Sequence, residues 1–85
     1  MSLVSLVILT YNCLRYTQAC LHSIRKYSHI PYELIIVDNA SSDGTPEYLA
    51  VQPDIQLIQN FENLGYSYGN NQGMKIAKGE FIILL

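Results

Sequence analysis

Four short apolar runs, separated by segments with helical periodicity, constrain the fold of this chain more than any other feature. Leu3 to Thr10 reads LVSLVILT, a continuous apolar and β-branched run typical of a strand that is buried on both faces. Similar runs follow at 32–37 (YELIIV), more weakly at 55–59, and at 80–85 (EFIILL). Runs of this kind indicate strands of a parallel sheet that helices cover on both sides.

The segments between the first three runs predict two helices. One extends from Leu14 to about Tyr27 and places four side chains on one face: Leu14, Thr17, Leu21 and Ile24. Asn12 precedes it as a candidate N-cap. A second, shorter helix begins at Thr45, with proline at its first turn, and ends near Pro53.

A third helix is predicted from about Ser67 to Lys78, and Gly79 is expected to end it. Gly69, Gly73 and Ala77 recur at every fourth position and form a stripe of small residues, which we interpret as a packing surface. The resulting order β-α-β-α-β-α-β predicts an α/β fold of three layers, α/β/α, with a mostly parallel sheet and right-handed crossovers.

Length and charge exclude several classes of protein. A chain of 85 residues forms one small domain at most. Its net charge is −2 and its five basic residues are scattered, which argues against nucleic-acid binding through a basic face. No apolar run approaches the roughly 18 residues of a membrane span. Asp43 and Thr45 are interpreted as turn and cap residues.

The two cysteines indicate whether the protein lies in a reducing or an oxidising cellular compartment. On a helix, Cys13 and Cys20 would have Cα atoms ~10 Å apart, whereas a disulfide needs less than about 7 Å. We therefore expect reduced thiols and a cytosolic protein. No set of histidines and cysteines has the spacing of a zinc site, so no metal ligand is assigned within the chain.

The carboxyl ends of the strands are the expected binding site, because ligands of open parallel sheets bind there. The turn after the first strand, TYNCLR, contains no glycine, which excludes the glycine-rich turn of dinucleotide-binding folds. The chain also lacks a Gly-Lys-Ser/Thr phosphate loop and the acidic pair of a phosphorelay receiver.

What remains at this edge favours a nucleoside over a clamped phosphate. Tyr11 can stack on a base, an interaction of about 1–3 kcal/mol. Asp38 or Asn39, after the second strand, can hydrogen-bond a base edge or a ribose hydroxyl. Together these residues predict a nucleoside-binding cradle.

Three segments carry a resemblance to a known family. LVILTYN, ELIIVDNASSDGT and NLGYSYGNNQGMKIAKGEFIILL resemble, in order and spacing, the opening of a family 2 glycosyltransferase with a GT-A (nucleotide-diphospho-sugar transferase) fold. The VDNAS form is similar to the branch that contains rhamnosyltransferase-like enzymes of bacterial polysaccharide synthesis.

The resemblance implies roles for eight residues that bind the nucleotide sugar. It places Thr10, Tyr11 and Asn12 against the nucleobase, and Asp38 and Asn39 at base and ribose; the segment that lines the donor pocket contains Asn63, Gly65 and Asn71. Relatives often have two acids where this chain has an acid and an amide, so UDP and dTDP donors both stay open. Relatives also often carry an arginine where Asn70 stands here, which removes one phosphate contact.

The family's metal-binding Asp-x-Asp would begin within a few residues of Leu85, and its catalytic base would lie much further on. We therefore expect residues 1–85 to be the N-terminal part of one catalytic domain, truncated after the fourth strand and inactive alone. The intact hexosyltransferase would use Mg²⁺ or Mn²⁺ and transfer a sugar from a UDP- or dTDP-sugar to a glycan or lipid-linked acceptor. Its expected location is the cytoplasm, in solution or peripheral at the cytoplasmic face of the membrane.

Two other classes stay open on the residues alone. A nucleotidyltransferase would want a glycine-rich, basic turn after the first strand, which TYNCLR does not supply. A non-catalytic nucleotide-binding or assembly module would lack the Asp-x-Asp. For any of the three, the apolar run EFIILL is expected to promote self-association through an exposed strand.

Overall fold

The structure, a computed structural model, describes residues 2–85 and contains the seven elements expected, in the expected order. The strands are β1 (Val4–Thr10), β2 (Tyr32–Asn39), β3 (Ile55–Asn60) and β4 (Phe81–Leu84), and the helices are α1 (Leu14–Tyr27), α2 (Thr45–Ala50) and α3 (Tyr66–Ile76). All strand pairs are parallel, and the sheet order is β3-β2-β1-β4. The predicted parallel α/β architecture is confirmed.

Alternation along the central strands gives the sheet two apolar faces. One face packs against α1 and α2 around a cluster of buried side chains: Val4, Leu6, Ile8, Leu21, Leu34, Ile36 and Leu49. The other face is covered by α3, which packs over β1 and β2. The chain therefore forms three layers, with β1 and β2 buried between helices as their continuous apolar sequences require.

The small residues of α3 bring the helix close to the sheet. A Cβ atom at Gly69 would lie 2.5 Å from Cδ1 of Leu9, and one at Gly73 would lie 2.5 Å from Cγ1 of Val7. Both contacts are shorter than a carbon–carbon contact allows. The interpretation of this stripe as a packing surface is confirmed at these two glycines.

The end of α3 differs from the sequence-based prediction. The helix ends at Ile76 instead of Lys78, because acceptors at the start of the sheet capture the next N–H groups. Lys78 N donates to Glu33 Oε2 at 2.6 Å, and Gly79 N donates to Ser5 Oγ at 2.8 Å. Gly79 is needed for this close approach, since a Cβ there would lie 2.7 Å from the backbone nitrogen of Ser5.

Two strands are longer than predicted, and this moves candidate residues from loops into the sheet. Asp38 and Asn39 are the last residues of β2, where they pair with Gln59 and Asn60 of β3. The prediction placed Asn60 at the start of a loop. Polar residues at these positions continue the strand because the parallel ladder satisfies their backbone groups.

Helix α1 has the predicted bounds, but its N-cap residue differs from the prediction. Its N-cap is Cys13, which makes no side-chain cap bond, and Asn12 lies outside the helix with a positive φ of 48°. The thiols of Cys13 and Cys20 are both free, and burial raises the pKa of the Cys20 thiol. None of the helices within residues 2–85 is both long enough and apolar enough to span a bilayer.

Candidate functional site

The register of the central strands brings the first two predicted turns to one edge of the sheet. Thr10 and Asp38 are the last Cα partners of the β1–β2 ladder. Their side chains also meet, because Thr10 Oγ1 donates a hydrogen bond to Asp38 Oδ1 at 2.6 Å. Tyr11 and Asn39 each follow one member of this pair, so both lie at the same carboxyl edge.

Asp38 is the centre of a hydrogen-bond network. Oδ1 accepts from Thr10 Oγ1 and from Ser41 Oγ at 2.7 Å, while Oδ2 accepts from Ser41 N at 2.9 Å and from Gln59 Nε2 at 2.8 Å. The residue has no exposed surface. Burial by itself would raise the pKa of the Asp38 carboxyl, but these hydrogen bonds outweigh it and hold the pKa below its usual value. The carboxylate therefore holds β1, β3 and the turn after β2 together.

Further bonds join the turn after β1 to the turn after β2. Asn12 N donates to Ser41 Oγ at 2.8 Å, and Ser42 N donates to Asn12 Oδ1 at 2.7 Å. The predicted role of Asn12 at a helix start is thus replaced by a bridge between loops. The bridge explains its left-handed backbone, a conformation that asparagine tolerates better than most residues.

Asp43 also connects the two turns, because its carboxylate accepts hydrogen bonds from the first residues of α1 and α2. Its Oδ2 accepts from Leu14 N at 3.0 Å, and its Oδ1 accepts from Thr45 N at 3.1 Å and from Thr45 Oγ1 at 2.5 Å. The Thr45 hydroxyl, with the backbone N–H groups, lowers the pKa of Asp43. The prediction of Asp43 as a turn residue agrees with these bonds, whereas Thr45 is the first residue of α2 and Gly44 is its N-cap.

Tyr11 lies on this carboxyl edge of the sheet, which the hydrogen bonds above hold in place (the braced edge), and half of its surface is exposed. Of the residues on either side of it, Thr10 is held by Asp38 at the end of β2, and Asn12 is held by Ser42 in the turn that follows. Its backbone is therefore anchored while the ring stays accessible. This is the arrangement that a stacking platform needs, and its role against a nucleobase stays a prediction.

Asn39 is linked to α3 by a chain of amide groups. Asn39 Nδ2 donates to the carbonyl oxygen of Gly65 at 3.2 Å, and Asn60 Nδ2 donates to Asn39 Oδ1 at 2.8 Å. Asn60 and Gln72 then exchange a reciprocal pair of bonds of 2.8 and 2.9 Å. Asn39 is 2% exposed, so its orientation is set by these partners.

The third predicted cluster reaches the site only in part. Asn63 Oδ1 accepts from Gly65 N at 2.9 Å and shapes the turn into α3, where Gly65 has a φ of 89° that favours glycine. The carbonyl oxygen of Gly65 also accepts from Gly69 N, the first bond of the helix. Asn71 is exposed and lines a hollow with Tyr68 and Lys75 on α3. The structure thus joins Gly65 to Asn39, whereas the pocket role of Asn71 stays a prediction.

Sequence reasoning missed three residues that organise this edge: Gln59, Asn60 and Gln72. Polar side chains at the end of an otherwise apolar strand are the signal that could have identified Gln59 and Asn60. Asn70 is also unusual, since it is 3% exposed and neither its Oδ1 nor its Nδ2 has a partner within residues 2–85.

The geometry of this edge supports binding more than bond breaking. It presents an accessible aromatic ring beside amide and carboxylate groups that hydrogen bonds hold rigid. Within the described part of the chain, no group of three or more His, Cys, Asp or Glu side chains is placed to hold a metal ion. The resemblance places the metal-binding Asp-x-Asp after Leu85, so it assigns no metal ligand to these residues.

Two curated relatives with similar sequences are named as glycosyltransferases. The chain is 28% identical over 87 residues to glycosyltransferase GlyG of Streptococcus pneumoniae serotype 4 (strain ATCC BAA-334 / TIGR4), covering 98% of this chain and 29% of that protein. It is 32% identical over 87 residues to TuaG of Bacillus subtilis (strain 168), provisionally named a teichuronic acid biosynthesis glycosyltransferase, covering 98% and 34%. The chain thus spans about a third of the length of these relatives.

Two solved structures with the same fold contain a bound nucleotide or nucleotide sugar. TarS 1–349 of S. aureus in complex with UDP matches with a TM-score of 0.86 and 27% identity, covering 100% of this chain and 27% of that one. Mannosyltransferase PcManGT from Pyrobaculum calidifontis, in complex with GDP-Man and Mn²⁺, matches with a TM-score of 0.77 and 29% identity, covering 93% and 25%. The sheet and its helices therefore have the GT-A fold.

The profile of one family, described as glycosyl transferase family 2, matches residues 5–85, which is nearly the whole chain. The predicted resemblance to this family is confirmed, and the chain belongs to glycosyl transferase family 2.

Proposed function

We propose that this chain is the donor-nucleotide-binding part of a glycosyltransferase that uses a UDP- or dTDP-sugar. The observation that carries this proposal is the single braced edge on which Tyr11 is exposed beside Asp38 and Asn39. Its support is the glycosyltransferase family of the chain, together with the UDP held by the similar TarS structure.

In this proposal each residue of the edge has its own role in binding the nucleotide. Tyr11 stacks on the base, and Asn39 faces the base edge with the hydrogen-bonding capacity that its protein partners leave unused. Asp38 acts through its neighbours, because its carboxylate is buried and already accepts four hydrogen bonds. Thr10 and Asn12 keep Tyr11 in place, while Asn63 and Gly65 form the loop beside Asn39.

The remaining features concern the intact enzyme. We propose a hexosyltransferase of the rhamnosyltransferase-like branch that acts on a glycan or lipid-linked acceptor in polysaccharide or cell-envelope synthesis, in the cytoplasm or at the cytoplasmic face of the membrane. The name of TuaG, with teichuronic acid biosynthesis in it, supports that substrate class. Mg²⁺ or Mn²⁺ would stabilise the departing nucleoside diphosphate as a Lewis acid; the Mn²⁺ of PcManGT supports its use.

Self-association through β4 is a further part of the proposal. This strand is an edge of the sheet, and its four apolar side chains are 42–59% exposed. Exposed apolar edges favour pairing with another chain. Sedimentation of residues 1–85 as a monomer at high concentration would contradict this part alone.

Calorimetric titration of the full-length protein with UDP, dTDP and GDP tests the nucleotide site. We expect binding of UDP or dTDP, and we expect Tyr11→Ala to weaken it by about tenfold, because one base-stacking contact is lost. Tyr27→Ala is the matched control, since Tyr27 is 66% exposed at the far end of α1 and its loss should leave the affinity unchanged. Absence of binding at millimolar nucleotide, or equal weakening by both variants, would refute the proposal.

A further inference from the structure

The side-chain amides of Gln72, Asn60 and Asn39 form a chain of hydrogen bonds that ends at the Gly65 carbonyl. This carbonyl sets which way the Asn39 amide is turned. The Gly65 carbonyl oxygen can only accept, so the nitrogen of the Asn39 amide must face it, at 3.2 Å. The oxygen of Asn39 must then face Asn60, which donates to it at 2.8 Å. A flip of the Asn39 amide would place two acceptors together at Gly65 and two donors together at Asn60.

Gln72 holds Asn60 in the matching direction. The two amides form a reciprocal pair, in which Asn60 Nδ2 donates to Gln72 Oε1 and Gln72 Nε2 donates to Asn60 Oδ1. Asn60 is 8% exposed and therefore has little water with which to exchange these bonds. Both N–H groups of Asn60 are thus in use, one toward Gln72 and one toward Asn39.

We propose that Asn60 is a specificity-determining positioning residue, which discriminates between pyrimidine bases by fixing the hydrogen-bonding direction of Asn39, with Gln72 supporting Asn60 through the side-chain oxygen that accepts from it. This inference rests on the proposed function, in which Asn39 faces the base. Among the described residues, no protein group uses the second N–H of Asn39 or the second lone pair of its oxygen. These two groups have fixed positions as long as the amide cannot flip.

An amide held in one orientation distinguishes uracil from cytosine, because the two bases carry opposite hydrogen-bond donors and acceptors along the same edge. Uracil presents an N–H at position 3 beside a carbonyl oxygen at position 4, whereas cytosine presents a bare nitrogen beside an amino group. An amide held in one orientation can match only one of these patterns at a given place. An amide that is free to flip can match both.

Two substitutions that each replace an amide by an isosteric acid test the proposal on the full-length protein. Asn60→Asp converts the donor that faces Asn39 into an acceptor, and so favours the flipped Asn39. Gln72→Glu adds the same negative charge to the same network and loses the donor to Asn60 Oδ1, but its oxygen still accepts from Asn60 Nδ2, which keeps the nitrogen of Asn60 toward Asn39. Titrations at pH 8 keep the introduced carboxyl groups ionised, and the readout is the ratio of the dissociation constants for UDP and CDP.

We expect the wild-type protein to distinguish UDP from CDP, Asn60→Asp to change their ratio by about tenfold, and Gln72→Glu to leave it within about twofold. Any general loss of anion affinity would affect both nucleotides alike and cancel in the ratio. Asn60→Ala, which only removes the donor, serves if Asn60→Asp does not fold, and we expect a change of about threefold.

The outcomes separate this inference from the proposed function. If the wild-type protein binds no nucleotide, the proposed function itself fails. If it binds but the UDP-to-CDP ratio is close to one, or is equally altered by both acid variants, the positioning role is wrong and the proposed function stands.

Discussion

The strongest prediction concerns the difference between two substitutions of Asp38. Alanine removes both carboxylate oxygens and leaves the donors of Thr10, Ser41 and Gln59 without partners in a buried place. Asparagine can keep most of these contacts, because its nitrogen can donate to the two hydroxyls, which turn to accept. We therefore expect Asp38→Ala to lower the free energy of unfolding by about 3–5 kcal/mol, and Asp38→Asn by about 1–2 kcal/mol, the loss of charge assistance.

Urea unfolding of the full-length protein, followed by far-UV circular dichroism, measures both values. Because Asp38 is buried and its oxygens are in use, we also expect Asp38→Asn to change the affinity for UDP by less than about threefold, within the effect of one weak hydrogen bond. Equal destabilisation by both variants would show that the adaptable hydroxyls do not compensate. A loss of UDP binding at unchanged stability would show that Asp38 contacts the nucleotide directly.

Three further predictions concern packing, an unpaired amide and pH. Gly73→Ala should lower the free energy of unfolding by about 1–2 kcal/mol, because overpacking against the rigid, buried Val7 exceeds the gain in helix propensity of about 1 kcal/mol. Gly69→Ala should be near neutral, because the new methyl group meets the flexible end of Leu9. Urea unfolding compares the two variants. Asn70→Leu should raise the free energy of unfolding by about 1–2 kcal/mol in the same assay, and a decrease would reveal a partner for its buried amide. Because the pKa of Asp38 is lower in the folded protein, its carboxylate stabilises the fold at pH values above the unfolded pKa of about 3.9, and this stability is lost as the pH falls through the folded pKa. The loss of unfolding free energy on acidification should therefore be smaller in Asp38→Asn than in the wild-type protein. Identical acid titrations of the two proteins would contradict this prediction.

The candidate site illustrates why residue type alone did not reveal residue role. Asp38 was predicted to contact base or ribose from a turn, but the β2–β3 ladder extends through it and buries it among donors. Asn39 received the same prediction, and the structure connects it through Asn60 to Gln72, twelve residues further along the chain from Asn60. These partners come from separate elements, so no local pattern in the sequence connects them.

Helix α3 shows the same division on a smaller scale. The four-residue spacing of Gly69 and Gly73 predicted a close approach, because a side-chain-free stripe is a local property. Which of the two adjacent amides turns inward depended on where the sheet lies: Asn70 is buried, and Asn71 is exposed. The end of the helix likewise depended on Glu33 and Ser5, acceptors that only the folded sheet brings near.

The sequence by itself determined the order of strands and helices, the parallel sheet between two helical layers and the family resemblance. These follow from apolar runs, helical periodicity and short motifs, all of which operate over a few neighbouring residues. Only the tertiary structure decided that Asp38 braces the edge, that Asn39 has one fixed orientation and that Tyr11 stays accessible. Such roles depend on hydrogen bonds and burial between segments that lie 20 to 30 residues apart in the chain, and these distances are set by strand register.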